Sequence, residues 1–295
     1  MQINGAHAPF LLIHKMLWKT SRFEIDLVTP KVMGIVNVTP DSFSDGSQHA
    51  NLTSALKHCE LLLKQGAHIL DIGGESTRPG AQQVSLEEEL QRVLPVVKEA
   101  VRLNVPISVD TYKPQVMQAA LDAGADIIND IWALRQKGAL DVVSKHTGCG
   151  VCLMHMHAQP QDMQVRPMEG SAVPTVVAFL QERAQALLAR GISVDRIALD
   201  PGIGFGKTVD QNFELLAHQS QISVLGYPLL AGWSRKSSLG AVTGCEVDQR
   251  LVPSVAAALL AVERGAQVVR VHDVEATVQA LAVWRHASQL DTLRQ

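Results

Sequence analysis

Between residues 31 and 290 the chain repeats one pattern of hydrophobic and polar positions. An amphipathic segment ends at a glycine, and a short apolar run follows it and ends in polar residues. The repeat is clearest in QGAHILDIG at residue 65, AGADIINDI at 123, RGISVDRIALDPG at 190 and RGAQVVRVHD at 264. The position just after a helix tolerates a positive φ at low cost only in glycine. The glycines that fit this position are Gly66, Gly124, Gly191 and Gly265.

The apolar runs predict eight strands that alternate with helices. The strands are predicted to start near residues 32, 68, 106, 126, 150, 196, 227 and 267. Strands that are apolar throughout are typical of a parallel sheet covered by helices on both faces. Eight such units predict a single (β/α)8 TIM barrel, and an open, doubly wound sheet is the alternative.

The barrel is predicted to occupy residues 31–295 as one domain. No linker or low-complexity tract divides it, and α/β barrels use about 250 residues as a single domain. Residues 1–30 are predicted to be an N-terminal extension with a possible hairpin, since residues 23–27 alternate between apolar and polar positions.

Composition and charge narrow the class of protein. Hydrophobic residues make up 46% of the chain, charged residues 19%, and the formal net charge is −3. These values are typical of a globular protein with a large core. No basic run indicates a nucleic-acid partner, and no apolar stretch is long enough to span a bilayer. We therefore expect a cytoplasmic protein without a nucleic-acid or membrane partner.

Polar residues collect at the C-terminal ends of the predicted strands, where barrel enzymes carry their catalytic groups. These residues are Asn37, Asp71, Asp110, Asn129, Asp130, Asp200, Ser234, Arg235, Lys236, Arg270 and His272. Any one of them could cap a helix or a turn, and that is our interpretation of Asp130 and of Asp273. Independent caps would not all lie on one rim, so the set as a whole predicts a site.

The rim has a definite chemical character. Four residues offer two carboxylates, an amide and an ammonium group: Asp110, Asn129, Asp200 and Lys236. Such groups suit a flat heterocycle with adjacent N–H donors and a carbonyl acceptor. Three others suit a phosphate or pyrophosphate: Arg78, Arg270 and His272. The rim thus predicts a pocket for a polar flat ring joined to a phosphorylated arm.

Three short motifs are similar to a phosphate loop, a metal site and a redox or zinc site. GIGFGK at residue 202 is similar to a phosphate loop, but Pro201 stands where that motif needs its first glycine. His155 and His157 share a face like a metal pair, but no third ligand is visible, so we predict that neither binds metal. Cys149 and Cys152 enter a predicted strand, which favours buried core thiols over a redox or zinc site.

Seven segments, in order, resemble the signature segments of bacterial dihydropteroate synthases, a pterin-binding family. They are NVTPDSFSDG, GGESTRPGA, SVDTYKP, IIND, LDPGIGFGK, GWSRKS and RVHDV. The resemblance covers about residues 31–290. It implies a transferase of folate biosynthesis that joins 6-hydroxymethyl-7,8-dihydropterin pyrophosphate to p-aminobenzoate, giving 7,8-dihydropteroate and pyrophosphate. It further implies that sulfonamides compete for the aminobenzoate site and that the protein is a homodimer.

The resemblance also implies a role for each matching residue. The pterin-binding residues are Asp110, Asn129, Met154, Asp200, Phe205 and Lys236. The pyrophosphate-binding residues are Asn37, Arg78, Arg270 and His272, with the cofactor Mg²⁺ near Asn37. The p-aminobenzoate-binding residues are Phe43, Thr77, Pro79 and Ser234. The implied catalytic residues are Asp110, Asp200, Lys236 and Arg78.

The mechanism implied by the resemblance is dissociative. The C–O bond to pyrophosphate breaks first, and the aniline nitrogen of p-aminobenzoate then attacks the pterin methylene cation. Two alternatives are a pterin-binding barrel of the methyltransferase type, which lacks the TPDSFSDG and STRPG segments, and an inactive paralogue. The chain departs from the family pattern at Ser47 and at residues 157–158, and residues 1–15 have no counterpart in the usual short form.

Overall fold

The structure is a computed structural model that describes residues 16–38, 48–76, 83–157 and 168–292. The strands are β1 (Leu17–Lys19), β2 (Glu24–Asp26), β3 (Lys31–Asn37), β4 (Ile69–Gly73), β5 (Ile107–Asp110), β6 (Ile127–Asp130), β7 (Gly150–Met154), β8 (Ile197–Asp200), β9 (Leu230–Ala231) and β10 (Val268–Val271). The helices are α1 (Gln48–Lys64), α2 (Leu86–Ala100), α3 (Pro114–Asp122), α4 (Ala139–Lys145), α5 (Ala172–Leu188), α6 (Val209–Ala217), α7 (Ser220–Ser223), α8 (Ser237–Thr243), α9 (Leu251–Glu263) and α10 (Val274–Thr292). Short 3₁₀ turns cover Val101–Leu103, Val194–Arg196 and Val247–Gln249.

Strands β3 to β10 form one parallel sheet that curls into a barrel. The order across the sheet is β8-β7-β6-β5-β4-β3-β10-β9. The two ends of this order meet, because Leu199 on β8 bridges to Leu229 just before β9, and its N–H donates to the Pro228 carbonyl at 2.8 Å. The predicted TIM barrel is confirmed, and the open-sheet alternative is wrong.

The strand starts follow the predicted pattern closely. Seven of the eight barrel strands begin within one residue of the predicted position, whereas β9 begins at Leu230 rather than near 227. Pro228 has no N–H to donate to a ladder, which accounts for the late start. The four glycines predicted to follow helices all have a positive φ: Gly66, Gly124, Gly191 and Gly265.

The N-terminal end of the barrel is closed by a hairpin. β1 and β2 pair antiparallel, and Trp18, Ile25 and Leu27 pack onto the first interior layer of the barrel, which includes Met33 and Ile127. Trp18 is fully buried, and its indole N–H donates to the Arg196 carbonyl at 3.1 Å. The hairpin thus seals this end with apolar side chains.

The outer core lies between the sheet and the surrounding helices. It joins apolar side chains of every barrel strand to those of the helices, for example Val97 of α2, Met117 of α3 and Leu180 of α5. Cys149 belongs to this outer core and Cys152 to the barrel interior, so the two thiols face opposite sides as predicted. No helix within the described ranges has the length and apolar character needed to cross a membrane.

Candidate active site

One pocket of about 580 Å³ opens at the C-terminal ends of the barrel strands. Ten residues predicted from the sequence line it: Asn37, Asp110, Asn129, Met154, Asp200, Phe205, Ser234, Lys236, Arg270 and His272. The parallel strands end on the same rim, and this topology brings together residues that lie up to 235 positions apart in the sequence. Four other predicted site residues, Phe43, Thr77, Arg78 and Pro79, lie outside the described residues.

Arg270 ties two carboxylates together on the floor of this pocket. Its Nε donates to Asp71 Oδ2 at 2.6 Å, and its Nη2 donates to Asp110 Oδ2 at 2.7 Å. Asn129 Nδ2 also donates to Asp71 Oδ2, at 3.2 Å. Asp71 is fully buried, and Asp110 is 9% exposed. Residues from β4, β5, β6 and β10 thus form a single hydrogen-bonded network.

The charges of this network influence one another strongly. Burial raises the pKa of Asp110 to about 7, and the nearby charge of Asp71 acts in the same direction against the attraction of Arg270. Burial alone would lower the pKa of Arg270, but the carboxylates of Asp71 and Asp110 outweigh it and raise that pKa. Asp110 therefore holds a proton more readily than an ordinary carboxyl group, while Arg270 stays charged.

Asp200 and Lys236 form the second polar group of the pocket. Asp200 Oδ1 accepts a hydrogen bond from the Gly202 N–H at 2.7 Å, and burial raises the pKa of Asp200 while that bond and Lys236 oppose the rise. Burial lowers the pKa of Lys236 to about 8. The Lys236 ammonium lies 4.3 Å from the centroid of the Phe205 ring, so the charge rests on an aromatic face.

Apolar side chains flank these polar groups. Met154 at the end of β7 and Phe205 in the loop after β8 are both buried and belong to one small cluster with Ile131, Met156 and Tyr112. Met154 and Phe205 line the same pocket as Asp110 and Asp200. The combination suits a flat ring whose faces are apolar and whose edge is polar.

Ser234 and His272 lie next to each other across the ends of β9 and β10. Ser234 Oγ accepts from the His272 backbone N–H at 3.1 Å and lies 3.0 Å from His272 Nδ1. Both residues line the pocket. The hydroxyl and the imidazole line the same pocket as Arg270, and such groups can bind anions.

Between Ser234 and Lys236, Arg235 has a left-handed backbone with φ 58°, which costs energy in a residue other than glycine. Three contacts hold it. Its N–H donates to Ser254 Oγ at 2.9 Å, its carbonyl accepts from Arg250 at 3.2 Å, and its guanidinium pairs with Asp273 at 2.6 Å. The held turn allows Ser234 and Lys236 both to line the pocket.

Two further predictions can be compared with the structure. Asp130 is a turn cap as predicted, because its two carboxylate oxygens accept from the N–H groups of Trp132 and Leu134, each at 2.7 Å. Asp273 directly precedes α10, and its carbonyl accepts from the Thr277 N–H at 3.2 Å, while its carboxylate pairs with Arg235.

His155 is buried, and burial lowers its pKa to about 2. Within the described parts of the chain, no three His, Cys, Asp or Glu side chains are grouped to hold a metal ion. That neither His155 nor His157 binds metal stays a prediction.

Asp71, which the sequence places on the rim without a specific role, is the central acceptor of the Arg270 network. The structure adds two lining residues to which the sequence assigns no role. Glu75, which accepts from the Tyr112 hydroxyl at 3.1 Å, and Arg250 also line the pocket. Arg250 had no signal in the sequence, because it reaches the pocket from the start of α9 only through the tertiary fold.

Residues 33–272 match the family described as pterin binding enzyme. The dihydropteroate synthase of Neisseria meningitidis serogroup C is 51% identical over 272 residues, which cover 91% of this chain and 96% of that protein. This degree of identity over nearly the whole chain decides the family.

The chain belongs to the dihydropteroate synthase family. Solved structures of dihydropteroate synthases agree with this assignment. The enzyme of Burkholderia cenocepacia, complexed with 7,8-dihydropteroate, is 48% identical with a TM-score of 0.85 and covers 95% of this chain and 98% of its own. The enzyme of Xanthomonas albilineans, with 4-aminobenzoic acid, is 52% identical with a TM-score of 0.85 and covers 90% of this chain and 95% of its own.

The assignment confirms the activity predicted from the seven motifs. Dihydropteroate synthases are transferases of folate synthesis, and the chain has the barrel fold of that family. The alternative of a methyltransferase-type barrel is therefore removed.

Proposed function

We propose that the pocket at the C-terminal end of the barrel binds dihydropterin pyrophosphate on its floor and p-aminobenzoate nearer its mouth. The observation that carries this proposal is the combination of a polar floor, formed by Asp110, Asn129 and Asp200, with the apolar side chains Met154 and Phe205 in one pocket. A pterin ring has a polar edge and two apolar faces, so each part of the pocket matches one part of the ring.

The polar floor would recognise the pterin edge. The carboxylates of Asp110 and Asp200 accept hydrogen bonds from ring N–H and amino groups, and Asn129 can both donate and accept. Lys236 donates to a ring acceptor from its place over Phe205. Because Asp110, Asn129 and Asp200 are buried, their bonds form where water competes poorly.

In the proposed reaction, the bond between the pterin methylene carbon and the pyrophosphate oxygen breaks first. The electron pair leaves with pyrophosphate, and a cation remains on the pterin methylene. Asp110 and Asp200 stabilise that cation, while Arg78, Arg270 and His272 stabilise the departing negative charge. The aniline nitrogen of p-aminobenzoate then forms the new C–N bond and loses a proton, so no protein nucleophile is needed.

The proposed p-aminobenzoate site consists of Ser234, Phe43, Thr77 and Pro79. Ser234 supports it, because its hydroxyl lines the pocket beside His272. The other three residues lie outside the described part of the chain. Sulfonamides, which also carry an aniline ring, are proposed to compete for this site.

Mg²⁺ is proposed as the cofactor, held near Asn37. Asn37 ends β3, is half-buried and lines the pocket. A single side-chain oxygen fits Mg²⁺, which often binds one or two protein ligands together with phosphate oxygens and water. Bound there, the ion would neutralise charge on the leaving pyrophosphate.

Three further proposals concern the whole protein. We propose a homodimer, supported by exposed apolar side chains on α8, α9 and α10, namely Val242, Leu251, Val252, Leu260 and Val283. We propose a cytoplasmic location. We also propose the division into an extension of residues 1–30 and a barrel of residues 31–295.

One assay tests the proposed reaction. Pyrophosphate release is measured with dihydropterin pyrophosphate alone, with p-aminobenzoate alone and with both. Release that requires both substrates, with formation of 7,8-dihydropteroate in equal amount, is the expected result. An inactive paralogue would bind the pterin without releasing pyrophosphate, and that outcome would overturn the proposal.

A further inference from the structure

Lys207 lies in the loop after β8 and is 5% exposed. Its ammonium donates to three backbone carbonyls, those of Gly202 at 2.7 Å, Phe205 at 3.1 Å and His155 at 3.3 Å. An ammonium group has three N–H donors, so this arrangement uses all of them. Two of the carbonyls belong to the loop after β8, and the third belongs to the segment after β7.

A buried ammonium without a directly contacting carboxylate is costly. Burial lowers the pKa of Lys207 to about 7, with Asp200 opposing the change. The carbonyl dipoles that converge on Nζ would repel one another if the charge were absent. In its charged form, Lys207 donates to all three carbonyls and so joins the two loops at one point.

The two loops are in backbone contact at this point. Gly202 has φ +69°, and a Cβ there would lie 1.8 Å from the His155 carbonyl oxygen. The His155 N–H donates to the Asp200 carbonyl at 3.0 Å, and the His157 N–H to the Phe205 carbonyl at 3.4 Å. Lys207 adds the only side-chain ammonium to this contact within the described residues.

The same loops carry the proposed pterin-binding groups. Gly202, whose carbonyl binds Lys207, also donates its N–H to Asp200 Oδ1 at 2.7 Å. Phe205, whose carbonyl binds Lys207, supports Lys236 on its ring. Met154 immediately precedes His155. Lys207 thus binds the two segments that carry Met154 and Phe205, the apolar side chains of the proposed pterin site. It does not line the pocket itself.

We propose that Lys207 is a positioning residue for pterin recognition, which holds the loops after β7 and β8 together and so sets the spacing of Met154 and Phe205 and the orientation of Asp200. The inference rests on the proposed pterin site. It assigns to Lys207 no contact with the substrate.

The test is Lys207→Met, which keeps the aliphatic stem and removes the ammonium. Lys145→Met is the matched control, because Lys145 is exposed at the end of α4 and its loss changes the net charge equally. Calorimetry measures the affinity for 6-hydroxymethylpterin, and thermal unfolding measures stability. We expect the pterin affinity to fall about tenfold or more in Lys207→Met and to stay within about twofold in Lys145→Met.

A double-mutant cycle with Phe205→Ala separates positioning from a general loss of stability. If Lys207 acts through Phe205, its removal should weaken pterin binding much less in the Phe205→Ala background. Lys207→Gln, which keeps two N–H donors at shorter reach, should bind pterin with intermediate affinity and serves if the Met variant does not fold.

Lower unfolding temperature with unchanged pterin affinity, or strictly additive effects in the cycle, would overturn the inference. Failure of the unmodified protein to bind pterin would overturn the proposed site instead, so the two failures are distinguishable.

Discussion

The two ends of the barrel bury different kinds of side chain, apolar at the N-terminal end and charged at the C-terminal end. At the N-terminal end, the hairpin β1–β2 fills the opening with apolar side chains, and Trp18 has no exposed surface. At the C-terminal end, Asp71, Asp110 and Arg270 form a buried charged network. Burial of apolar surface stabilises a fold, whereas burial of charge costs free energy unless each charge is fully paired.

A buried charge at the N-terminal end makes the contrast sharper. Asp126 is fully buried, and its Oδ1 and Oδ2 accept from Arg22 at 3.0 and 2.6 Å while Oδ2 also accepts from the Ile107 N–H at 2.9 Å. At the other end, Asp71 Oδ1 is buried with no hydrogen-bond partner among the described residues. The Asp126 carboxylate is thus more completely paired than that of Asp71 among the described residues.

The largest expected effect on stability comes from a substitution at the apolar end. Trp18→Ala removes a fully buried indole and its bond to Arg196, and we expect a loss of about 3–5 kcal/mol in the free energy of unfolding. Urea denaturation measures it. The Michaelis constants of the folded fraction should remain unchanged, because Trp18 lies at the opposite end from the pocket. A large rise in either constant would contradict the separation of the two ends.

At the charged end, Asp110→Asn should lower kcat by about 100-fold or more, because the amide cannot supply negative charge to the developing cation. The protein should stay folded, since the substitution relieves the proximity of two carboxylates. Steady-state kinetics and circular dichroism measure the two properties. Activity within tenfold of the unmodified enzyme would remove Asp110 from the catalytic groups.

The pH dependence of stability gives a smaller effect. The folded-state pKa of Asp110 is raised to about 7, above its unfolded value of about 3.9. The folded state therefore binds the extra proton between these values, and the contribution of Asp110 to stability is lost as pH rises through 7. Relative to the unmodified protein, Asp110→Asn should gain about 2–3 kcal/mol of stability between pH 5 and pH 8, because the two pKa values differ by about 3 units and only about 1 of these lies below pH 5. Chemical denaturation at both pH values measures this, and an equal difference at the two would argue against a raised pKa.

Deletion of residues 1–15 should have the smallest effect, with activity nearly intact. The hairpin that closes the barrel starts at Leu17, so the deletion spares Trp18. Deletion of residues 1–28 is the matched contrast, since it removes Trp18, Ile25 and Leu27 and should abolish soluble expression. Loss of most activity in the shorter deletion would show that its residues serve the fold or the site.

The barrel could be predicted from the sequence because the patterns that indicate its helices and strands are local. Each unit repeats the helical and strand periods, and a glycine marks the change between them. The rim of polar residues followed from the same units, since strand ends share one edge. The late start of β9 differs from the prediction because Pro228 has no N–H to donate, although its carbonyl accepts from Leu199.

The partners of the site residues could not be predicted. Arg270 binds carboxylates from β4 and β5, and Lys207 binds carbonyls from two loops. Such contacts depend on side-chain directions and loop paths that have no periodic signal. Arg235 is similar, since its left-handed backbone is held by Arg250, just before α9, and by Ser254 of α9.

The most direct test of the functional contrast between the two ends is a crystal structure with 6-hydroxymethylpterin bound. We predict ring density between Met154 and Phe205, with the polar edge within hydrogen-bonding distance of Asp110 and Asp200. We also predict no change at the hairpin around Trp18. Density at another site, or a ring whose edge avoids both carboxylates, would contradict the assignment of this pocket as the pterin site.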